Sequence, residues 1–438
     1  MSTPSRSSLQ SVPIRIAPAG PAAARPRYHE RRRTVQLLML ALAVLIPVSG
    51  LFRIDPVGGA LVVLDRQVWF SDFFLIFGLW ITLATALIFL YSIAGTVFCG
   101  WACPQNTLAE WANYMTRQLL GRRAEVSLTG EPIQVTASKN RAANWIVLAL
   151  SFVLASMLAA LVPMLYFYPP GAVWSFASLR ADARLPGSLY WIYSVFVLII
   201  LLDVSVLRHF WCRFLCIYRV WQHSFRTRQT LHVAYDAGRS GDCNGCNFCE
   251  TRCFIELDPR RTEVYSSCIN CGECIDACNV MHQKKGESGL LRFEFGGRGA
   301  RDAPRNAQAS LLSRSRWALP FTLLGLLMFG WGLRTYEPLH LSVDHAEALP
   351  GRAIQDYRIA IANKEYREHR VDVRVSGIPA GTYRLSEDRL AVGGIEHATL
   401  MLSIAPGLKH GLYPVHIEVR ADDGWVGRFD IQHLASAL

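Results

Sequence analysis

Cys243, Cys246, Cys249 and Cys253 form a C-x2-C-x2-C-x3-C run, and Cys268, Cys271, Cys274 and Cys278 repeat it after a short connector. Thiolates three residues apart can wrap one corner of an iron–sulfur cubane, while the fourth, one residue farther on, reaches the neighbouring centre. The pattern predicts two [4Fe–4S] clusters. One is held by Cys243, Cys246, Cys249 and Cys278, the other by Cys268, Cys271, Cys274 and Cys253. Structural zinc sites would use C-x2-C pairs set well apart, which is not this spacing. The chain has twelve cysteines, and the remaining four also fall into motifs, so none is left for a disulfide framework. Cluster ligation needs reduced thiols, which assigns this segment to a reducing compartment, the cytoplasm.

The other four are Cys99 and Cys103 in FCGWACPQN, and Cys212 and Cys216 in FWCRFLCIY. Each C-x3-C pair follows a long apolar stretch. A helix continuing through each pair would put both sulfurs on one face, with Pro104 bending or ending the first. Four converging thiolates would select Cu(I), zinc or an iron–sulfur centre. Cysteines at membrane ends are otherwise small buried hydrophobes. Two pairs of equal spacing at equivalent ends favour a redox or metal site.

The elements that must carry these residues are largely apolar. Half of the 438 residues are hydrophobic (51%), and stretches at about 35–51, 72–94, 143–167, 188–210 and 317–333 read as membrane spans. A helix needs about 20 residues to cross, so the first and last are near the lower limit. Lysine and arginine set the orientation: seven precede the first span, five lie in 95–142 and sixteen in 211–316, against two each in 52–71 and 168–187. That bias puts the N-terminus, the 95–142 loop and the cluster segment inside, and the tail from 334 outside. The net charge of +11 is thus topological, and no aromatic–basic module accompanies it to suggest nucleic acid. No nucleotide-binding motif is present.

The domains that follow are a disordered basic arm over 1–34, rich in Ser, Pro, Ala and Arg, four spans within 35–210, and a cluster segment over 211–316 with its core at about 240–285. A fifth span over 317–333 precedes a tail over 334–438. In the tail, Tyr357, Ile359 and Ile361 alternate with polar or small residues, as do Val371, Val373 and Val375, and Val415, Ile417 and Val419. Period two with Gly- and Pro-rich turns predicts a β-sandwich. Asp203 inside the fourth span is costly there and reads as either a paired carboxylate or a proton or quinol group. His209, His223, His232 and His282 are candidate copper or quinol contacts, although lone histidines are more often structural.

The chain resembles the CcoG, FixG and RdxA family of membrane polyferredoxins. The likeness rests on FCGWACPQ after the second span, C-x3-C after the fourth, the paired cluster runs, CIDACNVM with GLLRFEFG, and YRIAIANK in the tail. It implies a multi-span α-helical membrane protein with an inserted two-cluster ferredoxin-like α+β segment and a C-terminal immunoglobulin-like β-sandwich. It further implies a bacterial inner-membrane protein with cytoplasmic clusters and a periplasmic tail. The resemblance implies reduction of Cu(II) to Cu(I) for a cbb-type oxidase, with Cys99, Cys103, Cys212 and Cys216 holding the copper. Oxidase subunits or a copper chaperone are then the expected partners beside the lipid bilayer, and no nucleic acid is expected. The chain departs from the family at Phe254 and Ile217, where members carry proline. The thiolates remain, so the expected change is in the turn and in the hydrogen bonds that tune potential. A quinol-linked subunit of the NapH or NosR type, or an assembly scaffold with structural clusters, fits the same cysteines.

Overall fold

The computed structural model describes residues 27–56, 59–128, 130–182, 185–243, 245–262, 266–283, 286–296, 310–346, 356–405 and 408–435. They fall into two compact units: Met1–Leu38, Leu90–Ala137 and Leu207–Leu311 in one, and Met39–Phe89, Ser138–Val206 and Leu312–Leu438 in the other.

Among the described residues, four helices are long and apolar enough to cross a membrane: Phe73–Ala94, Ala142–Phe167, Gly187–Ser224 and Leu311–Arg334. The stretch expected as a first span lies in a helix, Arg27–Val48, whose first turns carry Arg27, Arg31, Arg32 and Arg33. Only its C-terminal part is apolar, so it differs from the other four. The arm expected to be disordered lies mostly in 1–26, outside the described residues. Residues 27–34 are helical instead, because their polar groups find carboxylates, as described below.

In the unit that carries most of the spans, helices Phe73–Ala94 and Leu311–Arg334 approach through small residues. A Cβ on Gly78 would lie 2.4 Å from the Phe329 nitrogen, and one on Gly332 would lie 2.7 Å from that of Leu75. Backbones this close are the usual means of helix association in lipid. Thr322 adds a 2.8 Å hydrogen bond to Thr85. Many large side chains on the spans, Trp80, Leu87, Leu154 and Leu198 among them, are exposed, as a lipid-facing surface requires.

The tail contains two four-stranded antiparallel sheets. Leu339–His345, Asp356–Asn363, His397–Ile404 and Tyr383–Leu385 make one, in that order; Arg389–Val392, His369–Ser376, Gly411–Ala421 and Val426–Ala435 make the other. Tyr357, Ile359 and Ile361 from the first share one buried core with Val371, Val373, Val415, Ile417 and Val419 from the second. The period-two pattern places these residues on the inner faces. The buried Lys364 ammonium, 3.0 Å from both Asp72 oxygens, fixes this layer to the loop before Phe73, with Trp69 and Tyr336 rings beside it.

The other unit holds every cysteine. Its short helices Phe248–Thr251 and Glu273–Gln283 accompany a two-stranded antiparallel ribbon of Leu231–Tyr235 with Leu291–Phe295. Val97–Trp101 and the amphipathic helix Pro104–Leu119 complete it.

Candidate redox centre

Each cysteine run turns through left-handed backbone on both sides of its second thiol. Gly245 (φ +59°) and Asn247 (+50°) flank Cys246; Asn270 (+53°) and Gly272 (+84°) flank Cys271. Glycine and asparagine are the residues that adopt this conformation at least cost, and the two runs use them in opposite order. The turns aim backbone N–H groups at sulfur: Asn270 donates to Cys268 at 3.4 Å, Leu257 to Cys253 at 3.4 Å, and Leu290 to Cys278 at 3.2 Å.

Two cavities result. Cys243, Cys246, Cys249 and Cys278 line the first, with Tyr235 and Arg260 on its wall. Cys253, Cys268, Cys271 and Cys274 line the second, among Ile255, Leu257 and Ile269. Among the described residues, no three of these thiols have sulfurs within 4.8 Å of one another. Burial pushes the Cys249 and Cys268 thiols up to about 11 and those of Cys271 and Cys274 well above the usual range. A hydrogen bond from the Gly245 N–H holds Cys243 below it. Thiols this desolvated ionise only when a cation arrives with them, which is what iron supplies.

Neither pair lies wholly within the helix before it, contrary to the sequence expectation: the first follows a break, and in the second the helix runs on through Cys212 as a π-turn and ends before Cys216. Phe73–Ala94 stops at Gly95 (φ +59°), and Cys103 and Cys216 both adopt extended backbone (φ, ψ of −71°, 119° and −72°, 110°) before a new helix. The Cys103 N–H bonds the Phe98 carbonyl at 2.9 Å, and the Cys216 N–H bonds the Trp211 carbonyl at 3.0 Å. In each pair the second thiol's amide therefore reaches back five residues, to the carbonyl just before the first thiol. The two pairs are copies of one wide turn, not faces of a helix. Proline after Cys103 suits the first helical position, and Ile217 serves equally well there because the turn itself has already ended the preceding helix.

The first pair is fastened to the second cavity. Thr96 donates to the Cys268 carbonyl at 2.7 Å and Trp101 to that of Asn270 at 2.9 Å. A Cβ on Gly100 would lie 2.4 Å from the Ile269 oxygen and 3.0 Å from the Cys271 backbone, so only glycine permits this approach. Cys99 packs against the buried cluster of Ile255, Ile269 and Cys271. Its thiol donates to Gln222 at 3.1 Å, and burial pushes it up to about 12. Arg219 donates to the Cys212 carbonyl at 2.9 Å, which holds its charge beside the second pair. Among the described residues, no three of these four thiols have sulfurs within 4.8 Å either; a single ion would have to draw them together.

A buried polar cluster, which sequence reasoning missed, braces the second cavity. Arg32 is fully buried and donates to Glu110, to Glu273 at 2.8 Å and to the Gly100 carbonyl at 3.3 Å. Tyr28 and His29 N–H groups donate to Asp276 at 2.8 and 2.9 Å. Burial lifts the Glu110 carboxyl above its usual range against the pull of Arg32. Phe254, at the position where proline was expected, stacks on His209 at 5.5 Å with Arg32 5.1 Å from its ring centre. His209 also contacts Asn106 and Asn113, each at 3.2 Å, which makes it a packed, structural histidine. Of the other candidates, His282 lines the first cavity, His232 contacts the Thr230 carbonyl, and His223 lies in the short helix Ile217–Ser224. Asp203 is buried at the start of a π-helical turn, Asp203–Leu207.

Two family models match the chain: a 4Fe-4S binding domain over residues 76–123 and a 4Fe-4S dicluster domain over 237–295. The first spans Cys99 and Cys103, the second all eight cysteines of the two runs. The nitrogen fixation protein FixG of Rhizobium meliloti is 24% identical over 73% of this chain and 70% of its own. Protein RdxA of Cereibacter sphaeroides is 28% identical over 55% and 52%. The ferredoxin-type protein NapH of Haemophilus influenzae is 26% identical over 44% and 64%. Apolar helices and iron–sulfur domains together define a membrane-bound iron–sulfur electron-transfer protein. The chain is similar to FixG/RdxA-type polyferredoxins.

Proposed function

We propose that this protein reduces Cu(II) to Cu(I) during assembly of a cbb-type cytochrome oxidase, and that Cys99, Cys103, Cys212 and Cys216 receive the copper. The observation that carries the reading is the fastening of the first pair to the Cys253/Cys268/Cys271/Cys274 cavity, by the Thr96 and Trp101 hydrogen bonds to the Cys268 and Asn270 carbonyls and by the packing of Cys99 against the cluster of Ile255, Ile269 and Cys271. Two [4Fe–4S] clusters, held as the two cavities divide the eight cysteines, supply single electrons. The four membrane-end thiols bind the cation and favour the reduced ion, because Cu(I) suits thiolates whereas Cu(II) prefers nitrogen and oxygen. Each Cu(II) takes one electron. Cys99 loses its proton on binding and with it the hydrogen bond it donates to Gln222. The arginine-rich segments orient the clusters to the cytoplasm and the tail to the periplasm. The tail's two sheets support an immunoglobulin-like domain that meets oxidase subunits or a copper chaperone.

The test uses detergent-solubilised protein reduced anaerobically and then given Cu(II) with a Cu(I)-specific chelator. Cu(I) should appear in step with cluster reoxidation, and C99S/C103S should abolish it while cluster absorbance is retained. Copper reduction unchanged in that variant would refute the role of the pair. The likeness to NapH supports a second reading, a quinol-linked relay. Clusters that ignore copper but reoxidise with a quinone analogue would establish it, whereas clusters that cannot be reduced at all would indicate a scaffold.

A further inference from the structure

Gln222 is fully buried, and the copper reading gives it nothing to do once Cys99 has lost the proton that it donates to the Gln222 Oε1 at 3.1 Å. Its amide is also poorly matched to its surroundings. Among the described residues the Gln222 Nε2 has no hydrogen-bond partner, although the Tyr91 hydroxyl is close by. A buried amide left half satisfied costs stability that an apolar side chain of the same size would not. Packing alone therefore does not account for a glutamine here. The residue stands at the joint between the two C-x3-C pairs. It lies on the helix Ile217–Ser224, for which Cys216 is the N-cap, while its oxygen rests on Cys99 of the other pair.

We infer, on the reading that the membrane-end thiols receive copper, that the Gln222 Oε1 is a ligand of the incoming Cu(II) and lets a thiol-rich site accept the oxidised ion. A thiolate on a metal carries no S–H, so the Cys99 sulfur and the Gln222 oxygen then face each other as two lone-pair donors. A cation between them satisfies both in a place that water does not reach. The amide oxygen supplies what sulfur does not, because Cu(II) prefers nitrogen and oxygen in tetragonal surroundings. The spacing fits as well. An oxygen and a sulfur about 2.1 and 2.3 Å from one ion, set at right angles, are about 3.1 Å apart. Among the described residues, no three of the four thiols have sulfurs within 4.8 Å of one another. Cys99 and Gln222 are thus in place before the other thiols close in. One electron from a reduced cluster turns Cu(II) into Cu(I), and the copper–oxygen bond breaks as the softer ion passes wholly to sulfur. Gln222 takes in the oxidised ion and releases the reduced one.

The test uses the cluster-loaded full chain in detergent, kept anaerobic with its clusters oxidised. Ni(II) stands in for Cu(II), because it shares the tetragonal preference and thiols do not reduce it. Its binding is read by sulfur-to-nickel charge-transfer absorption in difference spectra, and Cu(I) binding by competition with a Cu(I)-specific chelator. Q222M puts a thioether of similar size in place of the amide, and Q222E returns an oxygen. Q222M should weaken Ni(II) at least about tenfold, as loss of a ligand contact predicts, while Cu(I) affinity stays within about threefold and iron content is unchanged. Q222E should bind Ni(II) at least as tightly as the wild type. Unaltered Ni(II) binding in Q222M would overturn the inference. So would equal loss of Ni(II) and Cu(I), which marks an amide turned to donate to sulfur or a displaced helix. A fully iron-loaded Q222E that binds Ni(II) as weakly as Q222M would overturn it too. If C99S/C103S alters the binding of neither metal, the copper reading falls and this ligand with it. Loss of both metals in C99S/C103S beside a silent Q222M would overturn the ligand alone.

Discussion

Arg32 offers the sharpest test of how the chain sets the potential of its inner cluster. The guanidinium is fully buried, and it donates to the carbonyl of Gly100, the residue whose α-carbon lies against the Cys271 backbone. For a charge about 8 Å from an added electron, at an effective dielectric of about 20, the attraction is about 2 kcal/mol. For a one-electron couple this is about 90 mV. R32Q removes the charge, so the inner midpoint should fall. Glu110 and Glu273 lose their cation as well, and protonation of one of them trims the shift to roughly 50–90 mV. Stranding two buried carboxylates costs about 3–5 kcal/mol, so R32Q/E110Q provides a better folded companion, in which a cation and an anion leave together and the potential should return toward wild type. R32K keeps the charge and should stay near wild type. The assay is an EPR-monitored redox titration with iron content measured in parallel. Two midpoints both within about 20 mV of wild type in fully loaded R32Q would refute the electrostatic account.

Other outcomes follow from the same geometry. G100A pushes a methyl into the Ile269 carbonyl and should cost about 1–3 kcal/mol, slowing chelator-detected copper reduction while leaving cluster absorbance intact. K364M strands the Asp72 carboxylate and should lose about 3–5 kcal/mol, read as faster proteolysis of the tail, with D72N/K364M recovering most of it. Cys99, with its thiol pushed up to about 12, is fully protonated between pH 6 and 8. Cation binding there must therefore release a proton, and apparent affinity should rise by up to about tenfold per pH unit. Calorimetry in buffers of different ionisation enthalpy counts that proton, and no proton release would contradict the burial of Cys99.

What could be read in the chain was whatever depends on spacing. Eight cysteines at fixed intervals predicted two foursomes, and the structure has two cavities lined by those same sets. Alternation in the tail anticipated which faces of Tyr357, Ile359, Val373 and Ile417 are buried. Four of the five apolar stretches are long apolar helices. What escaped was whatever depends on contact between segments far apart in sequence. Arg32 looked like part of a solvated basic arm, yet its partners are 78 and 241 residues away. The C-x3-C pairs looked helical because i and i+4 is a helical spacing. Gly95 and Pro104 were the local signs of a break there, but FWCRFLCIY contains neither glycine nor proline, and its π-helical turn shows only in three dimensions. Glycine and asparagine stand in opposite order around Cys246 and Cys271, and this exchange is a local sign of left-handed turns that the sequence reading did not use.

That exchange also makes the two centres unequal in how they can be built. A side chain at Gly245 would meet open space and Cys246 is exposed. Asn270, by contrast, is buried and tied through its side chain to the Leu231 carbonyl at 2.9 Å. Iron and sulfide can thus reach the outer site in the finished protein, and oxygen or a chelator can remove them again. The inner site is walled by Ile255, Ile269 and the Gly100 turn, so it has to be filled before those walls close. On the proposed two-cluster reading, a chelator should therefore strip the outer centre before the inner one, and iron content against time would show two separate phases.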